Sequence, residues 1–308
     1  MSSSPELRGW IASQARPLRL DSGNPPTRPP EPLAQATIAG LASSVRSARE
    51  LVLATHVLLR ALVEQAGFRA VTIEGTTETA PALDRFVRSG EGDPAALLAA
   101  SQVFLRVHEA LAVVRWLREW NEAYPEDPVS VVHDRTPRTP PGNLTEIEAH
   151  LAESNLAWYA ETGQRIVHWG GTAHVIAGDP RTVLPAETHR NAGGIMRAEL
   201  GAGYGVAALT VGSGSAPFPV PHPPQDFAEH AFADVPYEVA VLELPPPAEV
   251  PRSAAEWLTR PLRTRVIGPR YDPERDRDFR LDAGPVVECV DVVVHASHIT
   301  PVTPLPLA

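Results

Sequence analysis

The stretch TIAGLASSVRSARELVLATHVLLRALVEQAGFRAVTIEG, Thr37–Gly75, decides the fold. The apolar run Ala36 to Leu41 reads as a buried strand and delivers the chain into a loop. From Ser47 to Ala66 the spacing turns helical, with Leu51, Val52, Leu58, Leu59, Leu62 and Val63 on or near one face. Gly67 closes that helix, and FRAVTIEG follows as a second strand. Strand, helix and strand in so short a span make a βαβ unit, whose crossover forces the strands parallel and right-handed. The pattern predicts Thr37–Leu41 and Ala70–Glu74 as parallel neighbours in one sheet, with residues 47–66 crossing between them.

Outward from this unit the pattern continues. Residues 1–16 read as a short helix and residues 17–32 as a proline-rich approach. Residues 94–120 are helical in one piece or two, within a helical subregion spanning about 94–162, and Leu144 to Thr162 is a further helix. Pro128 to Val132 is a short strand, and RIVHWG, GVAALTVGSG, YEVAVLEL and VVECVDVVVHA supply others. The expected class is α/β, a mainly parallel central sheet flanked by helices. At 308 residues and 43% apolar, with no low-complexity linker in the middle, residues 1–308 are expected to form a single α/β domain.

Charge and composition narrow the partners. The net charge is −10, from 27 basic and 37 acidic residues, and every basic residue is arginine. That balance argues against a nucleic-acid face, which needs clustered positive charge. No 18-residue apolar span and no apolar leader occur, so a cytoplasmic protein with no membrane partner is expected. The lone Cys289 excludes an intramolecular disulfide and sits in a strand-like apolar run as a small buried hydrophobe. HExxH and cysteine pairs are missing, and HASH (His295, His298) is too short to define a site, so neither metal nor cofactor is expected. A small-molecule substrate is the expected partner, with the chain a monomer or homodimer.

Glu74 ends the strand AVTIE, where open α/β sheets bind ligands, and Gly75 lets backbone approach closely. A salt-bridged surface glutamate is the competing reading. His174 follows a strand and a Gly-Gly turn, and its imidazole suits acid–base work near neutral pH, or else simply fills a turn. His168, inside the same strand, reads as packed. His108 and Glu109 are adjacent on a helix and cannot face one pocket, so Glu109 is preferred. His56 lies on the first helix and reads as a flank residue at the edge of the site. GSGS at 212–215 lacks the strand–turn–helix setting of a nucleophile elbow.

Taken in order, these segments resemble the erythromycin esterase family, which includes proteins labelled succinoglycan-biosynthesis-like. TIAGLASSVRSARE is similar to the family's first strand and catalytic loop, usually VGLGEATHGSRE. LLRALVEQAGFRAVTIEG, FLRVHEALAVVRWLREWN, NLAWY, IVHWGGTAHV, GGIMRAELGAGYGVAAL and VDVVVHASHITPV follow in the family's order, so the resemblance spans roughly residues 8–304. It implies a fold that opens macrolactone esters by water attack, assisted by a loop Glu and a loop His. Here those positions are Ser43 and Arg46, and a basic residue nine positions later is Thr55. WAHNxH becomes WGGTAH: Gly171 and Thr172 replace the first histidine and the asparagine, while His174 survives. RDxxMAxN becomes EAHLAESN, leaving Glu148 and Ala149 where Arg and Asp stood. Glu74 matches the family pattern, and Glu109 does so as well.

Serine accepts no proton near neutral pH and arginine stays protonated, so the family's water-activating pair is dismantled. Glu74, Arg46 and His174 still form an acid–base and anion-stabilising set, with Ser43, Glu109, Thr172 and His56 as candidates to bind substrate. Three functions compete. The first is a non-hydrolytic tailoring enzyme performing cyclisation, elimination or isomerisation on a polyketide-like or glycosylated small molecule. The second is an ester or lactone hydrolase with a rearranged base. The third is a catalytically silent binding protein. An open, mostly apolar pocket with converging groups favours the first, a water held against Glu74 or His174 the second, and a site closed by side chains the third.

Overall fold

A computed structural model describes residues 4–21, 28–134, 142–178, 181–183 and 187–306. Part of the proline-rich approach (22–27) lies outside the described residues. Its strands in chain order are β1 (Arg16–Pro17), β2 (Ile38–Ser43), β3 (Phe68–Ile73), β4 (Ser130–Val131) and β5 (Arg165–Gly171). Then come β6 (Arg181–Val183), β7 (Glu187–His189), β8 (Tyr204–Ala216), β9 (Phe218–Val220) and β10 (Val239–Glu243). Last are β11 (Pro261–Arg265), β12 (Arg280–Pro285) and β13 (Val292–Ile299).

The main sheet runs β1-β10-β13-β8-β2-β5-β3-β4, with β9 hairpinned onto β8. From β13 to β4 every pairing is parallel, while β10 and β1 add an antiparallel edge. β11, β12, β6 and β7 form a small antiparallel sheet. All six residues of β2 are buried, which explains its unbroken apolar and small-residue run, since both of its faces are covered.

The first βαβ unit forms with one correction. β2 and β3 are parallel members of one sheet but not neighbours, because β5 lies between them. It pairs with β2 from Ile38↔Ile166 to Ser43↔Gly171 and with β3 along its other edge. β5 is buried from Ile166 onward and needs a hydrogen-bonding partner on both edges. The crossover helix Arg49–Ala66 therefore spans two strand positions. It ends where Gly67 adopts φ 72°, with its N–H on the Leu62 carbonyl.

A second correction concerns VVECVDVVVHA. Val286–Cys289 is a single helical turn entered from Pro285, and the strand begins only at Val292. The reason is Asp291, which leaves the strand pattern to bind Arg197 and the Val206 N–H. Cys289 is buried as expected, and burial pushes its thiol up to about 12.

Period-2 alternation sends Leu41, Val71, Val167, Leu209 and Val294 to one face, under helices Arg49–Ala66 and His108–Ala123. Ile38, Ala42, Ala70, Ile166 and Val206 face the other way, toward Val175, Met196 and Trp158. Among the described residues, no helix is long and apolar enough to cross a membrane.

Candidate functional site

Three parallel strands end together: Ser43 closes β2, Gly171 closes β5, and Glu74 follows β3. Their carboxyl ends form the crest where open α/β sheets place ligands. Gly75, at φ 89°, lets the chain turn there, and a Cβ on it would stand 2.7 Å from Phe104 Cζ. Phe104 thus closes over the crest.

Glu74 is the hub. One carboxylate oxygen receives the Arg46 guanidinium and lies 3.5 Å from His174 Nε2, while the other accepts the Gly171 N–H at 2.8 Å. Burial opposes its charge, but His174, Arg46 and the Gly171 N–H outweigh burial and hold its carboxyl at about 2. Glu74 is therefore a fixed carboxylate and a weak proton acceptor at neutral pH.

His174 sits on the one-turn helix Thr172–Val175 and is held from both sides. Its Nδ1 lies 2.9 Å from Glu148 Oε1, and its Nε2 faces Glu74. Burial works against the imidazolium, yet the two carboxylates prevail and raise its pKa above the ordinary histidine value. Glu148 is fully buried; its other oxygen accepts the Ala192 N–H at 2.9 Å, and His189 Nε2 stands 3.5 Å from Oε1. The two carboxylates, Glu148 and Glu74, thus alternate with His174 and Arg46 across the crest.

Arg46 lies under the Phe104 ring, 4.2 Å from guanidinium carbon to centroid. It also fills the space beside Gly171: a Cβ there would stand 2.3 Å from Arg46 Nη2. The cavity lined by Ser43, Arg46, Glu74, Phe104, Leu105 and Trp169 has a volume of only about 10 Å³. At most one water fits.

The structure brings Glu74, His174, Arg46 and Ser43 together and leaves the other candidates apart. Glu109 is buried at the start of the helix His108–Ala123, but it accepts the Thr303 N–H and hydroxyl and pairs with Arg49 at 3.6 Å. It fastens the C-terminal segment and does not line the cavity. Thr172 donates to the Ala42 carbonyl at 3.1 Å, which ties the His174 turn to β2. His56 packs edge-on to Trp116, and burial, with Arg60 beside it, holds its imidazole at about 4. Thr55 is buried and bonds back to the Leu51 carbonyl, on the inner face of its helix.

Glu148, His189 and Phe104 were not singled out as site residues from the sequence. A signal for Glu148 exists. Glu148, Ala152, Asn155 and Trp158 form the buried stripe of the helix Leu144–Thr162, and a carboxylate in such a stripe needs a buried partner. Nothing in the local sequence marks Phe104 or His189.

A model of the family described as erythromycin esterase matches residues 63–133 and 135–299, well over half of the chain. The chain belongs to the erythromycin esterase family. A Bacillus cereus protein of known structure superposes with a TM-score of 0.79 at 16% identity, covering 98% of this chain and 99% of that one. A succinoglycan biosynthesis protein gives 0.77 at 16% identity, over 97% and 98%. A mutant of erythromycin esterase EreC in its open conformation gives 0.65 at 11% identity, over 90% and 94%. At these identities the likeness carries the fold alone. No curated protein matches.

Among the described residues, no group of three or more His, Cys, Asp or Glu side chains is arranged to hold a metal ion.

Proposed function

We propose that this family member is a non-hydrolytic acid–base enzyme that rearranges, cyclises or eliminates within a polyketide-like or glycosylated small molecule. The observation that carries the reading is His174 held between Glu74 and Glu148. An imidazole so placed holds its proton more tightly than an ordinary histidine and serves as a general acid. Glu74 has a different role from that of a base. Held near 2, it fixes His174 and Arg46, and Arg46 stabilises a developing oxyanion once substrate displaces it from Glu74. Water activation has the weakest support, because the loop positions that supply Glu and His in the family pattern are Ser43 and Arg46.

The cavity beside Glu74 has room for one water at most, so substrate occupies it only after Arg46 and Phe104 move aside. The closed cavity is the observation that favours the second reading, a silent binding protein.

The test incubates the protein with intermediates of the pathway encoded beside its gene and follows product mass. A product of unchanged mass, or one lighter by a water, supports the proposal. One heavier by a water returns the chain to hydrolysis. Binding without any product leaves the silent reading.

A further inference from the structure

His168 is a buried imidazole with no evident work. It lies at the centre of β5, fully buried, and neither ring nitrogen has a hydrogen-bond partner among the described residues. A neutral imidazole always carries one N–H and one lone pair. Leaving such groups buried and unpaired is destabilising, so an orphaned group of this kind calls for an explanation.

Its neighbours suggest one. In register with His168 stand Gly40 on β2 and Thr72 on β3. Thr72 is committed to Asn155 at 2.6 Å, and Gly40 offers no side chain. Two residues along the same face of β5 is Gly170, and a Cβ built there would fall 2.6 Å from Glu74 Oε2. Glu74 therefore fills the notch left by Gly170, about 6.6 Å from the base of the His168 side chain along the strand. The Glu74 carboxylate thus lies on the same face of the sheet as the His168 ring, one side-chain position further along β5. In the closed site the carboxylate is already taken by Arg46 and the Gly171 N–H.

We propose that His168 is a positioning residue, a standby donor that takes hold of Glu74 when Arg46 swings away to admit substrate. Burial holds His168 at about 4, so it is neutral and presents a ring N–H. The exchange would keep Glu74 aimed at His174 while the loop cation is engaged elsewhere. It rests on reading Glu74 and His174 as a working site, yet its test requires no turnover.

Crystal structures of the wild-type chain, Arg46→Met and Arg46→Lys are compared at neutral pH. Arg46→Met imitates the departed cation, and Arg46→Gln replaces it if the methionine variant does not fold. The expected result is a His168 ring nitrogen within about 3.2 Å of Glu74 in the neutral variant, and no such contact in the wild type or the lysine variant. Side-chain ¹⁵N NMR of the neutral variant should show His168 with one protected N–H. If His168 stays unpartnered in the neutral variant, the proposal is overturned. An ordered water bonded to the ring in the wild type also overturns it, because that water would account for the orphaned nitrogens. Turnover without the His168–Glu74 contact sinks the exchange alone; the contact without turnover on any substrate sinks only the enzymatic reading.

Discussion

Gly171→Ala tests whether two departures from the family pattern are one coupled change. Gly171 has φ −83° and ψ 149°, an extended conformation that alanine adopts without strain. Its obstacle is the guanidinium of Arg46, with Nη2 2.3 Å and Nε 2.7 Å from the new Cβ. Backbone cannot yield that far, but the end of an arginine side chain can. The methyl group therefore evicts Arg46 from Glu74. The Arg46 side chain is 25% exposed and Glu74 12%, so the pair lies between surface bridges, worth about 0–1 kcal/mol, and buried ones, whose rupture costs about 3–5 kcal/mol. A loss of about 1–3 kcal/mol is expected, or a fall in Tm of roughly 2–5 °C for a chain of this size. The assay is a double-mutant cycle by urea unfolding, with Arg46→Ala as the second leg. Once Arg46 is gone, Gly171→Ala should cost less than about 0.5 kcal/mol. An equal cost in both backgrounds would refute the coupling and place the obstacle in the backbone.

Three further outcomes follow from the same geometry. Glu148→Gln should lower the His174 pKa in an NMR titration, since burial would be opposed by Glu74 alone. The raised pKa makes His174 stabilising below about 6.5, an advantage lost as pH rises through its folded value, so the variant should lose stability mainly on the acid side of that window. His56→Phe should act in the opposite direction. Burial holds His56 at about 4, so the folded chain resists its protonation between about 4 and 6.5, and the variant should outlast the wild type in thermal melts at pH 5 by about 1–2 kcal/mol. Arg265→Met should cost about 3–5 kcal/mol in urea unfolding. Arg265 is fully buried and donates to the Gly212 and Pro221 carbonyls and to Asp276, so its loss strands a carboxylate left with the Tyr271 hydroxyl.

The local pattern of residues 37–75 determined a strand, an amphipathic helix stopped by Gly67 and a second strand, because apolar period and a left-handed stop are properties of neighbouring residues. It also placed Glu74 at a strand's carboxyl end. That β5 separates β2 from β3 was not legible, since strand order depends on a segment nearly one hundred residues away, and period-2 alternation does not name a partner. The site divides in the same way. The sequence alone showed that the loop carries Ser43 and Arg46, neither of which accepts a proton near neutral pH. Only the tertiary structure decided what surrounds them: Glu148 on a distant helix grips His174, Phe104 roofs Arg46, and Glu109 is spent on Thr303. Proton affinity here is set by charges a few ångströms apart in space and far apart in the chain. Folding brought Glu74 and Glu148 to opposite sides of one imidazole, and that juxtaposition raises the proton affinity of His174.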